Sequence, residues 1–202
     1  MKLYYAPAYC SHAVHIALRE AGVPFDLLKV DTVAGRVEDG RDWRQINPRG
    51  YVPLLELDDG TRHSEVAALL QYVGDLASGP GLMPAHGSRE RFEVLQWIAF
   101  ISSELHKTFS PLFHQETPDA TRKTCMEKIA LRLADIDRHL AGREWLAGRF
   151  TVADAYAFTI ASWAPMMGID LSAWPNVAAH HERVRSRPHV RAALQAEGLL
   201  PA

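Results

Sequence analysis

The chain has 202 residues, 48% of them apolar and 23% charged, ordinary globular usage that excludes a disulfide-stapled mini-protein and a disordered chain. Lys and Arg number 22 against 24 Asp and Glu, and residues 1–80 carry eight bases against eleven acids, so neither nucleic acid nor an anionic membrane is expected as a partner. No apolar run approaches the roughly 20 residues of a membrane helix, the first residues lack a signal-peptide core, and two cysteines are too few for a disulfide framework; a cytoplasmic location is the expectation.

A short run at 3–6 with β-favouring tyrosines opens the chain as a strand. Ser11–Ala21 then carries Val14, Ala17, Leu18 and Ala21 at helical spacing and stops at Gly22-Val23-Pro24. Residues 25–30 read as a second strand, and 42–46 as a short helix ended by Asn47-Pro48-Arg49-Gly50. Residues 54–57 and 61–63 form a hairpin about Asp58-Asp59-Gly60. A helix over 65–77 follows, with Val66, Leu69, Leu70 and Val73 on one face. The order is βαβ, then ββα, which predicts a small mixed sheet with helices packed on it.

Ser78-Gly79-Pro80-Gly81 breaks this pattern, and everything after it is helical in period. The expected division is a domain at 1–79, a linker at 80–86 and an all-helical domain at 87–202, so the fold class is α/β plus all-α. Leu95, Ile98, Leu105, Phe109 and Leu112 form one stripe of a long helix, and Met126, Ile129, Leu133, Ile136 and Leu140 one stripe of the next. Such stripes imply an antiparallel pair at the centre of a bundle. Thr151-Val152-Ala153-Asp154 is a capping-box variant with Asp in place of Glu or Gln, after Phe150 as a hydrophobic staple and before Tyr156, Ile160 and Trp163.

Cys10 carries the most chemical information, because it sits between the first strand and the start of a helix. The positive dipole end and the N–H groups there favour a thiolate, lowering a cysteine pKa from about 8.5 into the range of roughly 3.5–7.5. The competing reading is a small buried hydrophobe. Residue 13 is Ala, so a two-thiol CxxC reductase is disfavoured. Val52-Pro53 places proline just before a strand, and a cis bond there would turn the backbone groups of Val52 toward a peptide-like ligand. Ser64-Glu65 opens the third helix, where N–H groups suit a carboxylate and an acid suits an ammonium; together they fit an α-amino-acid end. The alternative is plain helix capping. Ala99, Ser103, His106 and Ser110 recur at helical spacing as a narrow stripe of small and polar residues. His106 beside Lys107 could donate to a sulfur anion or a carboxylate. The other histidines, among them His12, His15, His114 and the adjacent His180 and His181, show no zinc-ligand grouping, so no metal is expected. Cys125 reads as packing.

The segments MKLYYAPAYCSHAVHIALREAG, INPRGYVPLLELDDG, SEVAALLQYV, ELHKTFSPLF and FTVADAYAFTIASWAP arrive in an order that resembles the bacterial beta class of glutathione transferases, essentially end to end. The resemblance implies a thioredoxin-like N-terminal domain, an all-helical C-terminal domain and a homodimer. It implies a detoxifying enzyme with glutathione as co-substrate and a hydrophobic electrophile as the second substrate. Carried over by position, Cys10 contacts, or forms a mixed disulfide with, the glutathione sulfur. Val52, before cis Pro53, pairs with the cysteinyl unit, while Glu65 and the N–H of Val66 take the γ-glutamyl end. His106 reaches the sulfur region with Lys107 nearby, Ser103 and Glu104, of the same or the partner subunit, add polar contacts, and Trp163 flanks the electrophile pocket.

The chain departs from that pattern at Gly35, Val66 and Ala99, where the family often has Lys, Ser and Asn. Each lost contact is worth about 1 kcal/mol or more, so glutathione should bind more weakly unless Arg36 substitutes for the lysine. Two activities share the site. One is thiolate attack on an electrophile between the two domains; the other is thiol–disulfide exchange through Cys10. A non-catalytic protein of the same fold, binding glutathione or hydrophobic ligands, is the alternative.

Overall fold

The computed structural model describes residues 1–78 and 81–201. These fall into two compact units, one formed by Met1–Met83 with Arg187–Ala202 and the other by Pro84–Ser186.

The first unit is built on a five-stranded sheet: β1 (Lys2–Tyr5), β2 (Asp26–Asp31), β3 (Arg36–Val37), β4 (Leu54–Glu56) and β5 (Arg62–Ser64). The spatial order is β3-β2-β1-β4-β5. β1 pairs parallel with β2 across the connection through α1 (Ser11–Ala21), and every other pairing is antiparallel. The expected βαβ and ββα halves are both present. β3 has no counterpart in the sequence reading, since two residues are too few to show a period. Tyr4, Val30, Val37, Trp43, Val52 and Leu54 form one buried cluster, with the rings of Tyr4 and Trp43 5.4 Å apart. α2 (Trp43–Ile46) thus serves chiefly to seat Trp43, which is fully buried. α3 (Val66–Leu76) buries Val66, Leu69, Leu70 and Val73, the face its spacing indicated.

One boundary expectation falls partly outside the described residues, and another needs correction. Gly79 and Pro80, the break itself, lie outside the described residues. Within 81–86, Leu82 and Met83 are buried, and Met83 still belongs to the first unit. More consequentially, the tail assigned to the helical domain returns to the first unit. There α9 (Pro188–Ala196) packs on α1, and Arg187 makes two 2.7 Å hydrogen bonds to the Glu20 carboxylate. Helical period identifies α9 but carries no information about which neighbour covers its apolar face.

The second unit is helical: α4 (Arg89–Phe100), a π-helical stretch Ile101–His106, α5 (Lys107–Phe109), α6 (Asp119–Leu140), α7 (Val152–Ala161) and α8 (Pro175–Arg185), with 3-10 turns between. The single long helix read over 95–112 is therefore a composite. Its buried face runs Val94, Ile98, Ile101, Leu105, Phe109 and Leu112, so Val94 takes the place expected for Leu95. On α6 the buried face is Cys125, Ile129, Leu133, Ile136 and Leu140, with Cys125 where Met126 was expected. α7 is buried along its whole length and opens with a capping box between Thr151 and Asp154. Phe150 meets the Trp145 ring at 5.4 Å. Among the described residues no helix is long and apolar enough to cross a membrane.

Candidate functional site

Cys10 is the N-cap of α1, in α-helical backbone geometry, and no acid occupies the first turn to offset the positive end of the helix. The side chain is half-buried, and its thiol donates to the Val52 carbonyl at 3.4 Å. This contact joins the start of α1 to the approach to β4, so Cys10, Val52 and Pro53 form one corner of the first unit; the Val52-Pro53 bond is cis. Two clamps hold the loop before Cys10. The hydroxyl of Ser11, fully buried, accepts from Ala6 N–H and donates to Ala6 C=O, both at 3.2 Å. Ala8, which adopts a left-handed φ of 62°, donates its N–H to Glu197 Oε2 at 3.2 Å.

Glu197 is a residue that sequence reading missed. Its Oε1 lies 2.8 Å from Nδ1 of His12 and 2.8 Å from Nδ1 of His15, and all three side chains are buried. Burial pushes the Glu197 carboxyl up, but hydrogen bonds and charge from the two histidines outweigh it and hold the group below the usual carboxylate range. Burial drives His15 the other way, below its ordinary value, against the opposing pull of Glu197. A neutral His15 donating to a carboxylate fits both directions. No spacing rule links residues 12 and 15 to residue 197, so this grouping was invisible in the sequence.

Glu65 lies at the same end of the sheet, just after β5, whose Ser64 pairs with Leu54 of β4; it is the N-cap of α3, with a left-handed φ of 74°. Its Oε1 accepts from the Tyr51 hydroxyl at 2.6 Å and sits 3.6 Å from Arg49 Nη1. Arg49 also donates to Ser64 Oγ at 3.1 Å and to the Tyr51 oxygen at 3.3 Å. The turn that presents Arg49 and Tyr51 is fastened by Asn47, whose side chain donates to Tyr51 C=O at 2.7 Å and accepts from Arg49 N–H at 3.2 Å. Gly50 completes it with φ 76°, and a Cβ there would come within 3.2 Å of the Arg44 guanidinium. Tyr51 and Arg49 are thus positioners of Glu65 that the sequence reading passed over. Val66, the first residue of α3, is buried. A groove of about 720 Å³ is lined in part by Arg49, Ser64, Glu65 and Tyr72; it touches neither Cys10 nor Val52.

Arg36 lies on β3 and donates to Gly40 C=O at 3.2 Å, while Gly35 before it turns with φ 66°. The structure gives Arg36 no contact with Cys10, Val52 or Glu65 among the hydrogen bonds it forms.

In the second unit, the π-helical stretch carries Ser103, Glu104 and His106, and Lys107 follows it. Ser103 Oγ donates back to Ala99 C=O at 3.0 Å, and Glu104 is taken by Arg132 at 2.8 Å. His106 faces α7: its Nδ1 is 2.7 Å from the hydroxyl of fully buried Tyr156. The Trp163 ring approaches the imidazole at 5.2 Å and also meets Phe109 at 5.8 Å and Phe113 at 5.1 Å. His106 and Trp163, expected at one site, are neighbours. Ser103 and Glu104 make these contacts within their own unit.

A half-buried thiol at a helix start, the approach to β4 beside it and an acid at a second helix start thus stand on one thioredoxin-like mixed sheet. Residues 9–76 match the glutathione S-transferase N-terminal domain and residues 100–188 the C-terminal domain. The chain belongs to the glutathione S-transferase family, and its activity is that of a glutathione transferase. Within the family it stands close to the bacterial beta class. It is 41% identical to glutathione S-transferase GstA of Escherichia coli O157:H7 over 98% of this chain and 100% of that protein. The beta-class glutathione S-transferase of Sphingomonas chungbukensis superposes with a TM-score of 0.94 at 41% identity, covering 99% of this chain and 100% of that one. A sphingomonad glutathione S-transferase in complex with glutathione matches with a TM-score of 0.94 at 42% identity, again over 99% and 100%.

Proposed function

We propose that the protein binds glutathione in its first unit and transfers the glutathione thiolate to a hydrophobic electrophile. The observation that carries this reading is Cys10 at the start of α1, its thiol 3.4 Å from the Val52 carbonyl, at a helix end with no acid in its first turn. Glutathione is mostly thiol at neutral pH, so the protein must stabilise the thiolate before attack. The helix end and a donor from His106 supply that stabilisation. The backbone of Val52, preceding Pro53, pairs with the cysteinyl unit. Glu65 holds the γ-glutamyl ammonium, and the Val66 N–H at the start of α3 holds the neighbouring carboxylate. Arg36 takes the glycyl carboxylate in the role Gly35 cannot fill. Ser103, Glu104 and Lys107 add polar contacts, and the aromatic group around Trp163 receives the electrophile. The working form is a cytoplasmic homodimer that acts on small molecules rather than nucleic acid or membranes.

The half-buried thiol of Cys10 favours a second activity at the same site. As a thiolate it attacks the glutathionyl sulfur of a mixed disulfide, forming a Cys10–glutathione disulfide and expelling the other thiol as thiolate. A second glutathione thiolate then releases oxidised glutathione and regenerates Cys10.

Cys10→Ala separates the two. We expect disulfide reduction to be lost and conjugation of an aryl halide to continue through the helix end and His106. Loss of both activities, with glutathione binding intact by calorimetry, would make Cys10 essential to conjugation as well. Binding of millimolar glutathione to the unaltered protein without turnover would instead return the non-catalytic reading.

A further inference from the structure

Where the turn before β4 meets the start of α3, two opposite charges of the first unit stand side by side. Arg49 Nη1 donates to Ser64 Oγ at 3.1 Å and to the Tyr51 oxygen at 3.3 Å, and the Tyr51 hydroxyl donates in turn to Glu65 Oε1 at 2.6 Å. This relay orients both charged groups while using only one side of each. Nε and Nη2 of Arg49 and Oε2 of Glu65 make no hydrogen bond among the described residues. The nearest approach of the two charges is 3.6 Å, longer than the roughly 2.7–2.9 Å of a closed N–H···O pair. Neither charge is therefore spent on the other. Both side chains are exposed and line the same groove of about 720 Å³ together with Ser64. α3 begins beside them with no side-chain cap on its first N–H groups, an end that favours a carboxylate.

We infer that Arg49 is a specificity-determining residue for glutathione: the Nε–Nη2 edge of its guanidinium takes the α-carboxylate of the γ-glutamyl unit while Glu65 Oε2 takes the ammonium. This rests on the reading of Glu65 as the γ-glutamyl contact, and it extends that reading by naming the side chain that recognises the second charge. An α-amino-acid end carries its ammonium and its carboxylate on one carbon. Its complement is a cation and an anion that are adjacent yet not closed on each other, the arrangement of Arg49 and Glu65. The planar guanidinium fork matches both oxygens of a carboxylate, which a point charge does not. An acid alone would accept any amine, and a helix start alone any anion; the pair selects an intact amino-acid end. A peptide without the α-carboxylate would bring its ammonium up to the guanidinium with nothing to offset the repulsion.

The test is calorimetric titration of the full-length protein with two peptides: glutathione, and 4-aminobutyryl-cysteinyl-glycine, which lacks only the α-carboxylate and keeps the glycyl one. Arg49→Gln should weaken glutathione by about five- to tenfold, the effect of one charge-assisted contact at an exposed site. Its affinity for the 4-aminobutyryl peptide should stay within about twofold of the unaltered protein's, because the group that Arg49 reads is missing from that ligand. Equal weakening of both peptides would mean that Arg49 only fastens the turn, and overturns the inference. Unchanged or tightened glutathione binding overturns it as well, the latter by showing that Arg49 merely competes with the ammonium. Arg49→Lys, which keeps the charge and loses the fork, decides if the Gln variant fails to fold: it too should weaken glutathione and spare the analogue, and an equal effect on both overturns the inference. Glu65→Ala with undiminished glutathione affinity would remove the underlying reading of Glu65 and this inference with it. Arg49→Gln without effect beside a weakened Glu65→Ala removes Arg49 alone, so the two failures are distinguishable.

Discussion

Glu65 combines a strained backbone with an exposed acid: φ is 74° and the carboxylate is held at 2.6 Å by Tyr51. A non-glycine residue in this region costs about 1–3 kcal/mol, a cost that persists where the surroundings over-determine the conformation. Here they do so through the Asn47, Arg49 and Tyr51 contacts on one side and the start of α3 on the other. Glu65→Ala keeps the backbone but removes the carboxylate, and a charge-assisted hydrogen bond is worth about 1.5–3 kcal/mol. The expected result is a rise in KM for glutathione of about tenfold or more, with kcat changed much less, read from initial rates at fixed electrophile. An unchanged KM would dismiss Glu65 as a ligand contact. At this scale the sequence was readable for position at an element boundary, as for Cys10, Val52 and Glu65. It was silent on Tyr51, Arg49, Tyr156 and Glu197, whose importance lies in a partner chosen by folding.

Among the elements, α7 shows the most complete agreement between local pattern and tertiary use. The fully buried Asp154 accepts from Thr151 N–H at 2.8 Å and the Thr151 hydroxyl at 3.0 Å, which closes the capping box, and also from Leu146 N–H at 2.9 Å. A fourth contact, 2.9 Å from His180 Nε2, ties α7 to α8. The capping box was legible from four consecutive residues; the ties to Leu146 and His180 were not. Asp154→Ala would strip partners from several buried donors at once, so we expect a loss of about 3–5 kcal/mol in urea unfolding. A loss below about 1 kcal/mol would mean that water or a neighbour replaces the carboxylate. The π-helical stretch illustrates the opposite limit. The buried positions from Val94 to Leu112 keep nearly regular helical spacing straight through it, so no periodicity argument could have located the change in hydrogen bonding that aims His106.

The whole molecule should be least tolerant of acid. Burial, with help from His180 and Arg185, lowers the His181 pKa to about 4, and the ring accordingly pairs with the Ser162 hydroxyl. Below the ordinary histidine value of 6.5 the unfolded chain takes up a proton that the folded ring refuses, so stability falls as pH drops from there toward about 4. His181 accounts for about 2–3 kcal/mol of that fall, and His15, also lowered by burial, adds in the same direction. Glu56, lowered chiefly by its hydrogen bond with Lys2, and Glu197 contribute stability that is lost further down, below the usual carboxylate value of 4.5. Urea midpoints at about pH 7.5 and about pH 5 should therefore differ, with the lower midpoint in acid. His181→Gln should shrink that difference, and equal midpoints in the unaltered protein would contradict the assignment. At this scale the mixed sheet and the helical bundle were foreseeable from alternating and helical periods, whereas the return of the tail to the first unit was not, because α9 lies at the far end of the sequence from the helix it covers.

That return of α9 has a consequence for synthesis on the ribosome. The first unit begins to emerge first, yet α1 gains its covering helix, and Ala8 its carboxylate partner, only after all of Pro84–Ser186 has been made. The loop that precedes Cys10 is thus fastened late, since its Glu197 contact forms only once the last turn of α9 has been made.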